Sequence, residues 1–571
     1  MATSGDAVAL DYAKRIFERQ RVPLPPLGFQ VDWADQPARH KLYTDTVKLP
    51  LPSPFEGLPR LTLDAVGQAA AKPRGDRPPS LETLASALAC YGLADRRTAP
   101  NWNEDSARKL RADQALWSRP TASGGGMYPV ESYLVAGRGA PLPPGVYHYD
   151  TAHHSLDRLS LADRTGDLTQ ATGVGAGLYL VAAVRFWKNS FKYNSFCYHV
   201  VTQDCGALLA SWRAVFAAAG PVIEPVMWFA DAPVADALGL DGRTEAPFVV
   251  VPLGPPVSPD DGVPVPSPPT RAYRGGTPGE RYPHWERSRR TRRFELVERV
   301  HAAALRGDEP RPPARAADRG DMSAAPEPDG RTVTLPAPLP RDGDHDLVGS
   351  LLRRRSSFGQ FAARPPLAAG DLGWVLSAVD DGGRAGTDVA PAPQRSAWTR
   401  LWVLANSVEG LERRAYAYRR DGQHHLLTGG AEVDFGELQR SYALANYNMR
   451  EVAAVMVITG RLPALVDAYG ARGYRMLGVE VGHAAQLAYL AATARGLGVG
   501  AVLGLDNLTV DGLLGIDGTD EHSMLYVLLG HDRPGTPGYD HALWRPRHPE
   551  SHARHARHER HERPGRPGGI L

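Results

Sequence analysis

Cysteine is scarce in the 571 residues: Cys90, Cys197 and Cys205 are an odd three without CxxC spacing. That excludes a disulfide-stapled scaffold and argues for reduced thiols over a zinc site, so no metal is expected. Neither sign of charge prevails, with 65 Lys and Arg against 63 Asp and Glu. The basic surplus of a nucleic-acid protein is therefore missing. No apolar run approaches the roughly 18 residues of a membrane span. The opening MATSGDAVALDYAKRIFERQ has no charged-then-apolar signal pattern, and a cytoplasmic protein without a membrane partner is expected. HExxH, GxSxG and Walker loops are absent as well. GLGVGAVLGLDN from Gly496 superficially resembles a dinucleotide fingerprint, but it leaves a helix and enters a strand, and Leu503 stands where the last glycine would fall.

Glycine (59) and proline (50) are plentiful but uneven. The chain exceeds what one core usually fills. It divides into an N-terminal segment (1–70), lobe one (71–256), a Pro/Arg-rich linker (257–345), lobe two (346–547) and a His/Arg tail (548–571). The linker is too poor in periodic apolar residues for a core of its own, one short helix in ERSRRTRRFELVERVHAAAL apart. The tail repeats His every third residue without apolar periodicity and reads as solvated disorder.

The two lobes repeat one another. LGLDGRTEAPFVVVPLG from Leu238 and LGIDGTDEHSMLYVLLG from Leu514 lie 276 positions apart. The same offset carries Tyr193 to Tyr469, Tyr198 to Tyr474, Gly206 to Gly482 and Gly220 to Gly496. An ungapped register of that length predicts two copies of one α+β fold joined as an intramolecular pseudo-dimer. In each copy an extended element, a long core helix, a second extended element and a closing strand follow in turn.

Two motifs stand out for chemistry. In Arg119-Pro120-Thr121-Ala122-Ser123-Gly124-Gly125-Gly126 three glycines follow a hydroxyl, so the backbone can approach a planar ligand or anion closely; a flexible turn is the plainer reading. In LLRRRSSFGQF, Arg353, Arg354, Arg355 and Ser356 offer fixed guanidinium forks beside a hydroxyl, a plausible phosphate clamp or simply a solvated basic face.

With these pieces in order the chain resembles the flavin-dependent nitroreductase superfamily, and within it the SagB/McbC-type dehydrogenases that oxidise azolines to azoles in ribosomally made peptides. RPTASGGGMYPVESYLVA is similar to the family's glycine loop and strand, RRRSS to its Arg-Arg-Ser, and YGARGYRMLGVEVGHAAQLAYLAATARGLGVGAVLGLDN to its long helix and flavin-facing strand. DWADQPARHKLY resembles the tandem members that serve thiopeptide and related azole pathways. The resemblance implies one FMN. Ser123, Gly124 and Gly126 of lobe one would cover it, and Arg354, Arg355, Ser356, Leu503, Gly504 and Arg545 of lobe two would hold it.

The second flavin site is expected to be lost, because the 276 offset puts Trp228 where lobe two has Gly504. The family's catalytic Lys-Tyr pair falls on Lys192 and Tyr193, against Ala468 and Tyr469 in lobe two. Aromatising an azoline removes a hydride equivalent and a proton; Tyr193, with an ordinary pKa of about 10, would take the proton if the ammonium beside it favours the phenolate. Dioxygen is the implied electron acceptor and an azoline-containing precursor peptide the implied partner, with a cyclodehydratase complex as a further one. Quaternary state stays open between a monomeric pseudo-dimer and a homo-oligomer. The alternatives are an NAD(P)H-dependent FMN nitro- or quinone reductase and a flavin-free scaffold of a peptide-modifying complex. Cys205 and His483 read as packed helix residues.

Overall fold

The computed structural model describes residues 4–58, 77–97, 116–220, 222–255, 283–323, 325–339, 347–354, 361–362, 364–390, 397–444, 446–533 and 540–543. The C-terminal tail (548–571) lies outside them. Lobe one is built on strands β1 (Val47–Pro50), β2 (Val130–Ala136), β3 (Gly145–Asp150), β4 (Ser155–Ser160), β5 (Leu178–Arg185) and β6 (Glu245–Leu253). They pair antiparallel in the order β1-β4-β3-β2-β5-β6. LYLVAAVR and EAPFVVVPL are buried at every position, as an apolar run does when both faces of a sheet are covered.

Lobe two repeats the plan with β7 (Thr332–Thr334), β8 (Phe361–Ala362), β9 (Thr399–Ala405), β10 (Arg414–Asp421), β11 (His424–Glu432), β12 (Ala454–Gly460), β13 (Gly498–Val502) and β14 (His522–Asp532). The order is β7-β11-β10-β9-β12-β14-β8, with β13 also on β14. The tandem α+β reading holds, because β4-β3-β2-β5-β6 and β11-β10-β9-β12-β14 are the same meander and crossover.

Between the sheets cross two helices of 23 residues, α3 (Cys197–Ala219) and α5 (Arg472–Ala494). Each is buried on nearly all sides, which suits a helix at the centre of a pseudo-dimer. They meet at Gly206 and Gly482. A Cβ on Gly206 would overlap the Val479 carbonyl, and one on Gly482 would overlap that of Gln203. The pair related by 276 positions is thus the crossing point, and each glycine meets the other helix's backbone, as a two-fold contact requires. Neighbouring contacts obey the same relation: His199 Nδ1 lies 2.7 Å from the Tyr474 hydroxyl, while Arg475 Nε donates to that of Tyr198 at 3.5 Å. Larger side chains at either glycine would have to separate the backbones, which no rotamer change can do.

Residues 283–323 and 325–339, from the span read as a linker, are folded onto the lobes. The expected short helix is α4 (Glu295–Ala304), preceded in the chain by the N-terminal α1 (Ser4–Phe17). Leu296, Val297, Val300 and Ala304 are buried at helical spacing. The two helices begin equivalent arms, for RQRVPLPP at 19–26 and RGDEPRPP at 306–313 share their Arg and three prolines 287 positions apart. Arg19 Nη1 donates to Ile16 O and Arg306 Nη1 to Ala303 O, the same back-bond three residues earlier. Both arms run on to an edge strand, β1 or β7.

Each arm reaches across to the opposite lobe as well as packing on its own. Arg19 reaches the carbonyl of Leu503, and Arg306 N donates to Asp231 at 2.8 Å. The Pro-rich stretch needs few apolar residues because it borrows the core of the lobe that it crosses.

Candidate active site at the junction of the lobes

Helix α2 (Phe186–Tyr193) ends abruptly, because Asn194 adopts φ +42°, a left-handed conformation that asparagine tolerates better than most residues. The break sets Lys192 and Tyr193 against the glycine loop. Lys192 Nζ donates to Gly125 O at 3.3 Å and stands 5.2 Å from the Tyr193 ring centroid. Gly125 has φ +60°, and a Cβ there would overlap the Tyr193 hydroxyl and come within 2.5 Å of Lys192 Nζ. Both the backbone conformation and the space demand glycine.

The other end of the loop is held by α3. Buried Asp204 accepts from Ser123 Oγ at 3.0 Å and from Gly124 N at 2.7 Å, and Ser123 Oγ in turn accepts from Tyr128 N at 2.9 Å. A Cβ on Gly124 would overlap Val200, whereas Gly126, at φ +68°, would meet nothing within 4 Å.

Burial dominates the electrostatics. It pushes the Tyr193 phenol up, and the charge of Asp204 adds to that. It pulls Lys192 down from 10.5. The expected phenolate is therefore not favoured, since desolvation outweighs the neighbouring ammonium; the lysine is the group drawn toward its uncharged, basic form. Asp204 is pushed up to about 7 by burial, against the two bonds it accepts.

Lobe two brings Leu503 and Gly504, just past β13, to the same place. A Cβ on Gly504 would come within 2.7 Å of the Tyr442 ring and 3.6 Å of Leu444. Tyr442 is close enough to Tyr193 that each hydroxyl's ionisation opposes the other's. Arg19 donates to Leu503 O and, at 2.5 Å, to Asn507 Oδ1, and it lies 4.7 Å over the Phe196 ring. Gln20 Nε2 donates to Gly504 O at 2.6 Å.

Arg354 is buried and holds the foot of the glycine loop, with Nε on Pro120 O at 2.7 Å and Nη2 on Arg119 O at 2.6 Å. Arg355, Ser356 and Arg545 lie outside the described residues. Among the described residues no group of three His, Cys, Asp or Glu could hold a metal, and no helix is long and apolar enough to cross a membrane.

The counterpart position is filled. Trp228 is buried, its ring 6.4 Å from Tyr469 and 5.2 Å from the Arg306 guanidinium, with Nε1 donating to Glu309 O at 3.1 Å. Asp388 fixes its backbone, accepting from Met227 N at 2.7 Å and Trp228 N at 3.2 Å. The described residues fit the ring end of a flavin at the first place and not at the second. Gly504 carries no side chain where Trp228 carries an indole, and the Tyr442 ring that lies over it borders the Tyr193 packed on Gly125.

Sequence reasoning missed Gly125, Asp204, Arg19, Gln20 and Tyr442. The triple glycine signals Gly125, and the arm repeat RxxxPxPP signals Arg19; Asp204 and Tyr442 give no local sign.

Comparisons with known proteins follow this geometry. Residues 351–531 match the Nitroreductase family model. A Methanocaldococcus jannaschii protein named as a nitroreductase is 28% identical over 172 residues, 30% of this chain and 84% of that one. The trifolitoxin-processing protein TfxB of Rhizobium leguminosarum bv. trifolii is 30% identical over 99 residues, 16% of this chain and 26% of its own length. A crystal structure from Anabaena variabilis, also named as a nitroreductase, superposes with TM-score 0.64 at 20% identity, covering 92% of this chain and 99% of that one. The chain thus carries a Nitroreductase family domain within a nitroreductase-like fold, and is a nitroreductase-like oxidoreductase.

Proposed function

We propose that the chain is an FMN-dependent dehydrogenase that oxidises thiazolines or oxazolines to thiazoles or oxazoles in a ribosomally synthesised precursor peptide. One observation carries the reading: Lys192 and Tyr193 meet the glycine loop at Gly125 and Tyr193 borders the Tyr442 that lies over Gly504, while a buried Trp228 stands at the position equivalent to Gly504. The likeness to a toxin-processing protein supports a peptide-modifying role.

FMN, when bound, supplies the acceptor for a hydride equivalent. Lys192, pulled toward neutrality by burial, takes the ring proton at Nζ. Tyr193 stays protonated and donates its hydroxyl to orient the ring. Asp204 holds Ser123 and Gly124 so that the loop keeps its shape. Arg19 and Gln20 take the Leu503 and Gly504 carbonyls, which fixes the strand end opposite Tyr193. Ser123, Gly124, Gly126, Leu503 and Gly504 would hold the ring system, and Arg354, Arg355, Ser356 and Arg545 its phosphate, with Arg354 also anchoring the foot of the loop.

The test is an absorbance spectrum with flavin released and counted, followed by aerobic incubation with an azoline-containing peptide and mass analysis. One FMN per chain and a loss of two hydrogens per ring, abolished in Lys192→Ala, are the expected results. Two flavins per chain would sink the single-site reading. Bound flavin bleached by NAD(P)H, with no mass loss in the peptide, would replace the dehydrogenase by a nitro- or quinone reductase.

A further inference from the structure

Four of the large apolar side chains that the described residues leave exposed gather around the candidate site. Val22, Leu27 and Trp33 belong to the first arm, and Leu444 to lobe two. Val22 follows the Gln20 that bonds Gly504 O. Leu27 is two residues past Pro25, whose carbonyl accepts from Ser195 Oγ. Leu444 lies beside Gly504. The second arm has Glu309, Ala314 and Gly320 at the positions equivalent to the first three, and Gly320 is buried under Leu465 and Trp398. The apolar rim therefore accompanies the glycine loop and Lys192, and is missing where Trp228 closes the counterpart.

Trp33 is the most informative member. It is 53% exposed, yet it is not loosely held. Asp32 accepts from Ala34 N at 3.1 Å and Asp35 N at 3.4 Å, which fixes the turn that carries it. The Asp35 carboxylate in turn accepts from Arg289 N at 2.7 Å and Arg290 N at 3.1 Å. The indole edge packs on Phe191 with centroids 5.4 Å apart, and Lys192 Nζ stands 6.0 Å from its ring centre. An ordered indole exposed beside a base is preorganised to stack a planar group at little entropic cost. An extended peptide advances roughly 3.3–3.6 Å per residue, so 6.0 Å spans about two residues.

Resting on the azoline reading above, we propose that Trp33 is a specificity-determining residue that stacks a planar heteroaromatic ring flanking the reacting azoline in the peptide substrate. The substrate class is a peptide with successive five-membered rings, and the already aromatic neighbour is the group recognised.

The test uses the full chain loaded with flavin and fluorescently labelled product peptides, which bind without turnover. One peptide carries two neighbouring thiazoles; in the other the flanking ring is replaced by alanine. Wild type binds the first about tenfold more tightly. Trp33→Ala erases that preference, Trp33→Phe keeps most of it, and Trp285→Ala, which removes another exposed indole, leaves it whole. On azoline peptides with a flanking ring, Trp33→Ala raises KM without lowering kcat.

Preference retained in Trp33→Ala, or absent from wild type, overturns the proposal. So does a changed oligomeric state in Trp33→Ala with the preference intact, which would assign the indole to a contact between copies. If wild type discriminates between the peptides and Trp33→Ala does not, yet wild type oxidises no azoline, the dehydrogenase reading falls and Trp33 keeps only the stacking of the heteroaromatic ring.

Discussion

Position 504 is glycine and position 228 is tryptophan, and the two places that these residues define have diverged in opposite directions from one plan. Over Gly504 lie the Tyr442 ring and Leu444, and Tyr442 borders the Tyr193 that meets Lys192 and the glycine loop. Around Trp228 the indole, Arg306, Tyr469 and Asp388 make a packed and hydrogen-bonded plug. Both are supported by the same helix crossing, so the difference teaches that one scaffold can carry two differently filled places. Filling the second place also gives that half of the molecule a core residue that an open site cannot supply.

The largest expected contrast is chemical. Lys192→Ala lowers azoline turnover by roughly 10²–10⁴-fold with flavin retained, whereas Ala468→Lys at the counterpart changes nothing; steady-state rates and flavin counts decide it. Because burial pulls Lys192 below 10.5, kcat/KM rises with pH as the ammonium loses its proton, and this limb disappears in Lys192→Arg.

Next comes the exchange of the two signature residues. Gly504→Trp abolishes flavin binding, while Trp228→Gly leaves flavin at its wild-type content and costs about 3–5 kcal/mol in urea denaturation. A second flavin gained by Trp228→Gly would break the comparison, since it would mean that the plug alone closed the site.

Gly125→Ala forces a side chain into left-handed backbone and against Tyr193, costing about 1–3 kcal/mol and reducing turnover without removing flavin.

A further effect, on stability alone and not on turnover, runs with pH. Asp204, pushed up to about 7 from 3.8, keeps its proton in the folded chain after the unfolded chain has released its own. Its contribution is full below the unfolded value, falls as pH rises toward 7, and is flat above. The stability of wild type relative to Asp204→Asn therefore declines across that window, as denaturation midpoints at stepped pH would show.

Much of this was legible in the residues. The 276-residue register announced the tandem fold, and the same register set Trp228 against Gly504 and Lys192 against Ala468 before any coordinates. What stayed hidden depends on packing over long separations. Asp204 is an unremarkable helix residue until Ser123 and Gly124 arrive from 80 positions away. Arg354 looked like a free phosphate ligand because nothing local shows that Arg119 and Pro120 present their carbonyls to it. The second arm passed for a linker because proline conceals periodicity, and its match to the first arm is eight residues long at an offset different from that of the lobes. Spacing shows an ammonium beside a phenol but not how dry both are, and burial is what pulls Lys192 down and pushes Tyr193 up.

The crossed arms also bear on how the molecule is made. Arg19 finds its carbonyl partner 484 residues downstream. At roughly 5–20 residues per second of synthesis, that partner emerges from the ribosome about half a minute to a minute and a half later. During that interval the indole can already pack on Phe191, but Arg19 and Gln20 have no lobe-two carbonyls to bond, so the nascent half is the stage at which chaperones and misassembly compete for the chain.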